Sequence, residues 1–159
     1  MKSIISNITR SMALVAGLAV SFLAPDSRAE AQVPLEIKTP NGLCLDVEGG
    51  TAANGTRLIT FGCHGQANQR FALHADGTLR VGGQCLDVEG GNATSGARVI
   101  TYACHGRANQ KWRIHHDRSI RTIGGLCLDV QGANTNPGTP LIAYTCHGRA
   151  NQQFTISNP

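Results

Sequence analysis

Residues 44–69 read CLDVEGGTAANGTRLITFGCHGQANQ, and the fold follows from how this stretch returns along the chain. Cys44-Leu45-Asp46-Val47 recurs as Cys85-Leu86-Asp87-Val88 and as Cys127-Leu128-Asp129-Val130. Cys63-His64-Gly65 recurs as Cys104-His105-Gly106 and Cys146-His147-Gly148. Ala67-Asn68-Gln69 recurs as Ala108-Asn109-Gln110 and Ala150-Asn151-Gln152. Asp46 and Asp87 lie 41 residues apart, Asp87 and Asp129 lie 42, and the two cysteines of each copy are 19 apart. Order and spacing together define three internal repeats.

Each repeat reads as short strands. Leu43 to Val47 alternates, with Leu43, Leu45 and Val47 on one face. Arg57 to Phe61 is β-branched and aromatic, and Arg70 to His74 and Thr78 to Val81 flank Asp76-Gly77, a hairpin signal. No stretch carries helical periodicity. Four strands per repeat predict about twelve in all. The third copy stops soon after Phe154, and its missing strand stands at the other end of the chain. Ile37-Lys38-Thr39, seven residues before Cys44, matches Ile120-Arg121-Thr122, seven before Cys127. A first strand that completes the last repeat predicts a closed all-β body with threefold pseudosymmetry. An open solenoid would want atypical capping repeats. The repeats are expected at about 42–81, 83–122 and 125–159, the last completed by strand 35–39.

The 159 residues predict one domain, and 41% apolar with 15% charged residues exclude a disordered tail and a membrane bundle. A net charge of +4 with 4% aromatics argues against nucleic acid, which wants a concentrated basic stripe. Lys2 and Arg10 head an apolar run from Met12 to Ala24, followed by Ala29-Glu30-Ala31. That is the layout of a secretory signal peptide over 1–31. The run falls short of the roughly 20 residues needed for a membrane span. The working domain is therefore expected at 32–159, secreted to the extracellular space or the periplasm. There an even set of six cysteines is normally oxidised.

Strand parity points to a site. Cys44 and Asp46 share a face, as do Phe61 and Cys63. Were these cysteines bonded to each other, Asp46 and Phe61 would stand beside the disulfide on one side of the sheet. The same parity groups Asp87 with Tyr102 and Asp129 with Tyr144. His64 and Asn68, and their counterparts, follow in the next loop. Carboxylate, aromatic ring, imidazole and carboxamide together suit a sugar. The carboxylate accepts from neighbouring hydroxyls, the amide donates and accepts, and the ring covers the apolar face of a pyranose.

Cys-Leu-Asp-Val, the aromatic two before the second cysteine and Asn-Gln-x-aromatic together resemble the ricin B-chain lectin family. Its xylan-binding members share the Cys-His that follows. The resemblance covers about 35–159 and all three repeats. It implies a β-trefoil, a six-stranded barrel capped by three hairpins, with disulfides Cys44–Cys63, Cys85–Cys104 and Cys127–Cys146. The family's Gln-x-Trp signature stands as Gln110-Lys111-Trp112 and is weakened to Gln69-Arg70-Phe71 and Gln152-Gln153-Phe154. These aromatics are core by resemblance. Sugar-binding roles carry over to Asp46, Phe61, His64, Asn68 and Gln69 in the first copy. The second copy has Asp87, Tyr102, His105, Asn109 and Gln110, and the third Asp129, Tyr144, His147, Asn151 and Gln152. Galactose- or xylose-type glycans are the implied ligands. The chain departs from the family at Ile59, Ile100 and Ile142, where many members carry a polar residue, often Gln.

Other chemistries fit less well. Cysteines 19 apart lack the close ligand pairs of zinc modules, and no acidic cluster offers calcium its several oxygens, so no metal or cofactor is expected. Each site has one carboxylate where glycosidases normally use two, so the chain is read as non-enzymatic. Each aspartate could instead satisfy loop N–H groups. The alternatives to a secreted lectin are a non-catalytic targeting subunit of a separate toxin or enzyme chain, and a trefoil inhibitor of a protein. An inhibitor would use one irregular loop and would not need three alike pockets, and the retention of Asp, His and Asn in all three copies favours sugar binding over both. Asn54-Gly55-Thr56 and Asn92-Ala93-Thr94 are glycosylation sequons in predicted loops.

Overall fold

The computed structural model describes residues 32–91 and 94–159. The expected signal segment 1–31, and Asn92-Ala93 of the second sequon, lie outside the described residues. The strands are β1 (Glu36–Lys38), β2 (Cys44–Val47), β3 (Thr56–Phe61), β4 (Ala72–Leu73), β5 (Leu79–Val81) and β6 (Gln84–Val88). They continue as β7 (Ala97–Tyr102), β8 (Trp112–Ile114), β9 (Ile120–Thr122), β10 (Leu126–Val130), β11 (Leu141–Thr145) and β12 (Thr155–Ser157). Twelve strands and short 3₁₀ turns make up the regular structure of the described residues.

The architecture is a β-trefoil. The antiparallel pairs β2–β3, β6–β7 and β10–β11 build the barrel. The barrel closes where β3 meets β7, β7 meets β11, and Ile59 bridges back to Pro140. Hairpins β4–β5 and β8–β9 cap it, and the third cap is β1 paired with β12 in the register Ile37↔Ile156. The caps interlock in rotation: Leu35 bridges Phe71, Thr78 bridges Lys111, and Phe154 N–H donates to the Arg118 carbonyl at 2.8 Å.

Alternation decides what is inside. Leu45, Val47, Leu58 and their counterparts Leu86, Val88, Val99, Leu128, Val130 and Leu141 form one core with Ile37, Leu79 and Ile120. Phe71, Trp112 and Phe154 plug that core, each at most 2% exposed. The Trp112 indole N–H donates to the Leu86 carbonyl at 2.9 Å, so the ring is buried without an orphaned donor. Burying each such aromatic contributes roughly 2–3 kcal/mol.

The two tight hairpin turns show one backbone need met by two residues. In Asp76-Gly77-Thr78 the glycine sits at φ +81, and the Asp76 carboxylate accepts from both the N–H and hydroxyl of Thr78. Those hydrogen bonds hold its pKa down to about 2. In Asp117-Arg118-Ser119 the same carboxylate pattern recurs, but Arg118 occupies the left-handed position at φ 66, where a Cβ is disfavoured.

Candidate functional site

Register places each site on the outer face of a barrel hairpin. Cys44 pairs with Phe61 and Asp46 with Ile59, so all four side chains leave the sheet opposite the core. The second hairpin pairs Cys85 with Tyr102 and Asp87 with Ile100, and the third pairs Cys127 with Tyr144 and Asp129 with Ile142. The disulfides are Cys44–Cys63, Cys85–Cys104 and Cys127–Cys146, each with Cα atoms 5.1 Å apart. Each pins the Cys-His-Gly loop beside its aspartate. Closing a loop of this length contributes about 3 kcal/mol in the chain-entropy account. Glu36 also approaches Cys44 and Cys63, but sulfurs in a disulfide offer a metal no thiolate.

The aspartate is the centre. Asp46, Asp87 and Asp129 are buried, and each Oδ2 receives a glutamine N–H from Gln69, Gln110 or Gln152 at 2.7, 2.8 and 2.8 Å. His64, His105 and His147 approach the same oxygens through Nε2 at 3.1, 3.2 and 3.3 Å. Their Nδ1 atoms accept the backbone N–H of residues 66, 107 and 149. An accepting Nδ1 places the ring proton on Nε2, and His64 meets hydrogen-bond geometry to Asp46 Oδ2. Asn109 and Asn151 donate to Oδ1 of Asp87 and Asp129 at 2.8 and 3.0 Å. Asn68 reaches only the Val47 carbonyl, at 3.4 Å. Burial raises the Asp129 pKa above its usual value, outweighing the hydrogen bonds from Gln152 and Asn151 and the nearby His147.

The aromatics frame this group from outside. Phe61, Tyr102 and Tyr144 are exposed and stand 6.3, 6.2 and 6.1 Å, centroid to centroid, from His64, His105 and His147. Around Tyr102 and Asp87 lies an open cleft of about 410 Å³, and around Tyr144 and Asp129 one of about 580 Å³. Ile100 and Ile142 line these clefts, so the positions where a polar residue is common in the family supply apolar wall.

The glutamines belong to the frame of the site. Gln69, Gln110 and Gln152 are at most 1% exposed and cannot present themselves to a ligand in the cleft. Each Nε2 donates to the aspartate and to the carbonyl of residue 62, 103 or 145, while Oε1 accepts the N–H groups of the histidine and the following glycine. Their hydrogen-bonding capacity is spent on holding loop and carboxylate together. The aspartates, for their part, accept from side chains rather than from loop N–H groups.

Sequence reasoning drew each site within one repeat, and it missed a wall contributed by the neighbour. Gly55 of the first repeat lines the second cleft, and Gly96 of the second lines the third. The handover is hydrogen-bonded: Gly55 N–H to Thr101, Gly96 N–H to Ala143, and Gly138 N–H to Thr60. The recurrence of glycine at 55, 96 and 138 was the available signal. The cleft-lining residues Arg107 and Arg149 were also missed.

A threefold β-barrel bearing in each repeat a buried carboxylate beside an exposed aromatic, with open clefts around the second and third of them, defines a β-trefoil of the lectin type. The family model for the ricin-type beta-trefoil lectin domain matches residues 33–154, and the chain belongs to that family. Among solved structures it is similar to the agglutinin from Abrus precatorius, at 26% identity and TM-score 0.73 over 80% of this chain and 49% of that one. It is similar to the designed threefold-symmetric protein ThreeFoil at 30% identity and TM-score 0.71, over 79% of this chain and 99% of that one. A non-toxic homologue of type II RIPs from Momordica charantia, solved with α-methyl-D-galactoside, aligns at 28% identity and TM-score 0.70 over 80% and 48% of the two chains. A seed lectin from Trichosanthes anguina is 45% identical over 40 residues, 25% of this chain and 8% of that protein. The chain thus spans about half the length of the two plant structures and a small part of the seed lectin.

Proposed function

We propose that this chain is a non-enzymatic lectin that binds glycans through its three related sites and works outside the reducing cytosol. The observation that carries this reading is the threefold recurrence of one buried carboxylate, fixed by Gln and His, beside an exposed aromatic ring. A carboxylate held rigidly by the protein keeps Oδ1 acceptor capacity for a sugar hydroxyl without reorganising. The exposed ring covers the C–H face of the pyranose. Open clefts leave much of the ligand wet, so each site is weak alone and clustered glycans gain from avidity. Galactose- and xylose-type sugars are the first candidates, supported by family membership and by the galactoside bound to the Momordica relative. Export fits the three disulfides, and no helix among the described residues is long and apolar enough to cross a membrane.

The test is a glycan array with the oxidised protein and the triple variant Phe61→Ala, Tyr102→Ala, Tyr144→Ala. Those rings are exposed, so the variant keeps its fold, monitored through the fluorescence of buried Trp112. Binding to galactose or xylose members that disappears in the variant is expected. A folded native protein that binds no glycan, or a variant that binds equally well, would refute the reading.

A further inference from the structure

The repeats differ at one rim position whose chemistry bears on ligand charge. The residue between the Gly and Ala of the His-Gly-x-Ala-Asn-Gln loop is Gln66 in the first repeat, Arg107 in the second and Arg149 in the third. Arg107 lines the second cleft and Arg149 the third. Neither guanidinium has an oxygen partner within the described residues. Most other cations there are engaged: Arg57 and Arg98 hold Glu48 and Glu89, and Arg80 and Arg121 hold Asp76 and Asp117. Arg70 and Arg118 hold the Gly65 carbonyl and the Gln153 amide. Two of the few uncommitted guanidiniums thus stand at the two clefts.

The third cleft is further biased towards anions. Where the first two repeats carry Glu48 and Glu89, it has Gln131, so its only carboxylate is the buried Asp129. Arg149 also lines an adjoining hollow of about 430 Å³ with Pro40, Val130, Ala133 and Ala150. That hollow leaves room for a second sugar residue beside the one stacked on Tyr144.

Building on the lectin reading, we infer that the second and third sites select anionic glycans, with Arg107 and Arg149 pairing a carboxylate or sulfate ester beside the stacked sugar. A guanidinium offers a planar fork of donors that matches both groups. The first site, with Gln66, takes neutral sugar. The third site is the strongest anion selector.

The chain itself supplies the control substitutions. The full-length protein, Arg107→Gln/Arg149→Gln and Gln66→Arg are compared on matched neutral, uronate and sulfated members of the galactose and xylose series. Ionic strength is kept low, because screening weakens exposed pairs. Anionic members are expected to bind the native protein about tenfold more tightly than neutral partners, the scale of one charge-assisted contact. The double variant should lose that preference and keep its neutral binding, while Gln66→Arg should strengthen it. Uronate and sulfate arms distinguish the two anion sources. Neutral binding without anionic preference, or a preference that survives in the double variant, overturns this inference and leaves the lectin reading standing. No binding to any member overturns both.

Discussion

The first and third sites share a frame and differ at the rim. In both, a glutamine clamps the aspartate to the loop after the disulfide, with bonds that match to within 0.1 Å: 2.7 Å to Asp46 and 2.8 Å to Asp129. Outside that frame, Phe61 faces Tyr144, Gln66 faces Arg149, and the ion pair Glu48–Arg57 faces the neutral pair Gln131 and Pro140. Asn151 reaches its aspartate, whereas Asn68 stops at a backbone carbonyl. Buried polar atoms must be satisfied, so the clamp tolerates little change. Rim atoms answer to water and ligand, and there the repeats have diverged.

The largest effect separating frame from rim should come from the clamp. Gln152→Ala orphans the N–H groups of His147 and Gly148 and the Thr145 carbonyl, and should cost about 2–4 kcal/mol in urea unfolding. Gln69→Ala should cost the same, and a gap of more than about 1 kcal/mol between them would break the equivalence of the frames. Acidification comes next. Burial keeps the Asp129 pKa above 3.8, so binding at the third cleft should fade as pH drops through that raised value, before an ordinary aspartate is protonated. Stability moves the other way: the folded state takes up this proton more readily than the unfolded one, so Asp129 contributes most below 3.8 and that contribution is lost as pH rises through the folded value. A pH titration of binding with Asp46→Asn/Asp87→Asn silencing the other clefts checks this, and a midpoint at or below 3.8 would contradict it. The smallest effect is the phenol hydroxyl. Tyr144→Phe should weaken the third cleft and Phe61→Tyr strengthen the first, each by roughly fivefold, about 1 kcal/mol, in single-site titrations.

The frame was largely legible in the sequence, because strand parity is a strict code. Asp46 and Phe61 had to share a face with the disulfide once Cys44 was paired with Cys63, and Leu45 and Val47 had to be core. Family resemblance supplied the disulfide pairing and the burial of Phe71, Trp112 and Phe154. Asn68 and Gln69 are both buried by the turn Ala67–Gln69, and spacing alone does not tell that the glutamine clamps the aspartate to the loop while Asn68 reaches a backbone carbonyl. The contribution of Gly55 and Gly96 to the next repeat's cleft arises from barrel closure, a long-range property that spacing within one repeat does not encode.

The pairing of β1 with β12 has a topological meaning. Two of the three caps are hairpins turned at Gly77 and Arg118, and the third is the same hairpin with its turn cut open. Among the described residues three similarly folded modules form a ring, open between β12 and β1, and the place of that opening is incidental to the barrel pairings. The opening sits among the caps, where no disulfide and no cleft carboxylate crosses it. A turn the length of 74–78 or 115–119 inserted between Ser157 and Glu36, with the ring reopened at Gly77, would move the ends by one module and leave the barrel pairings unchanged.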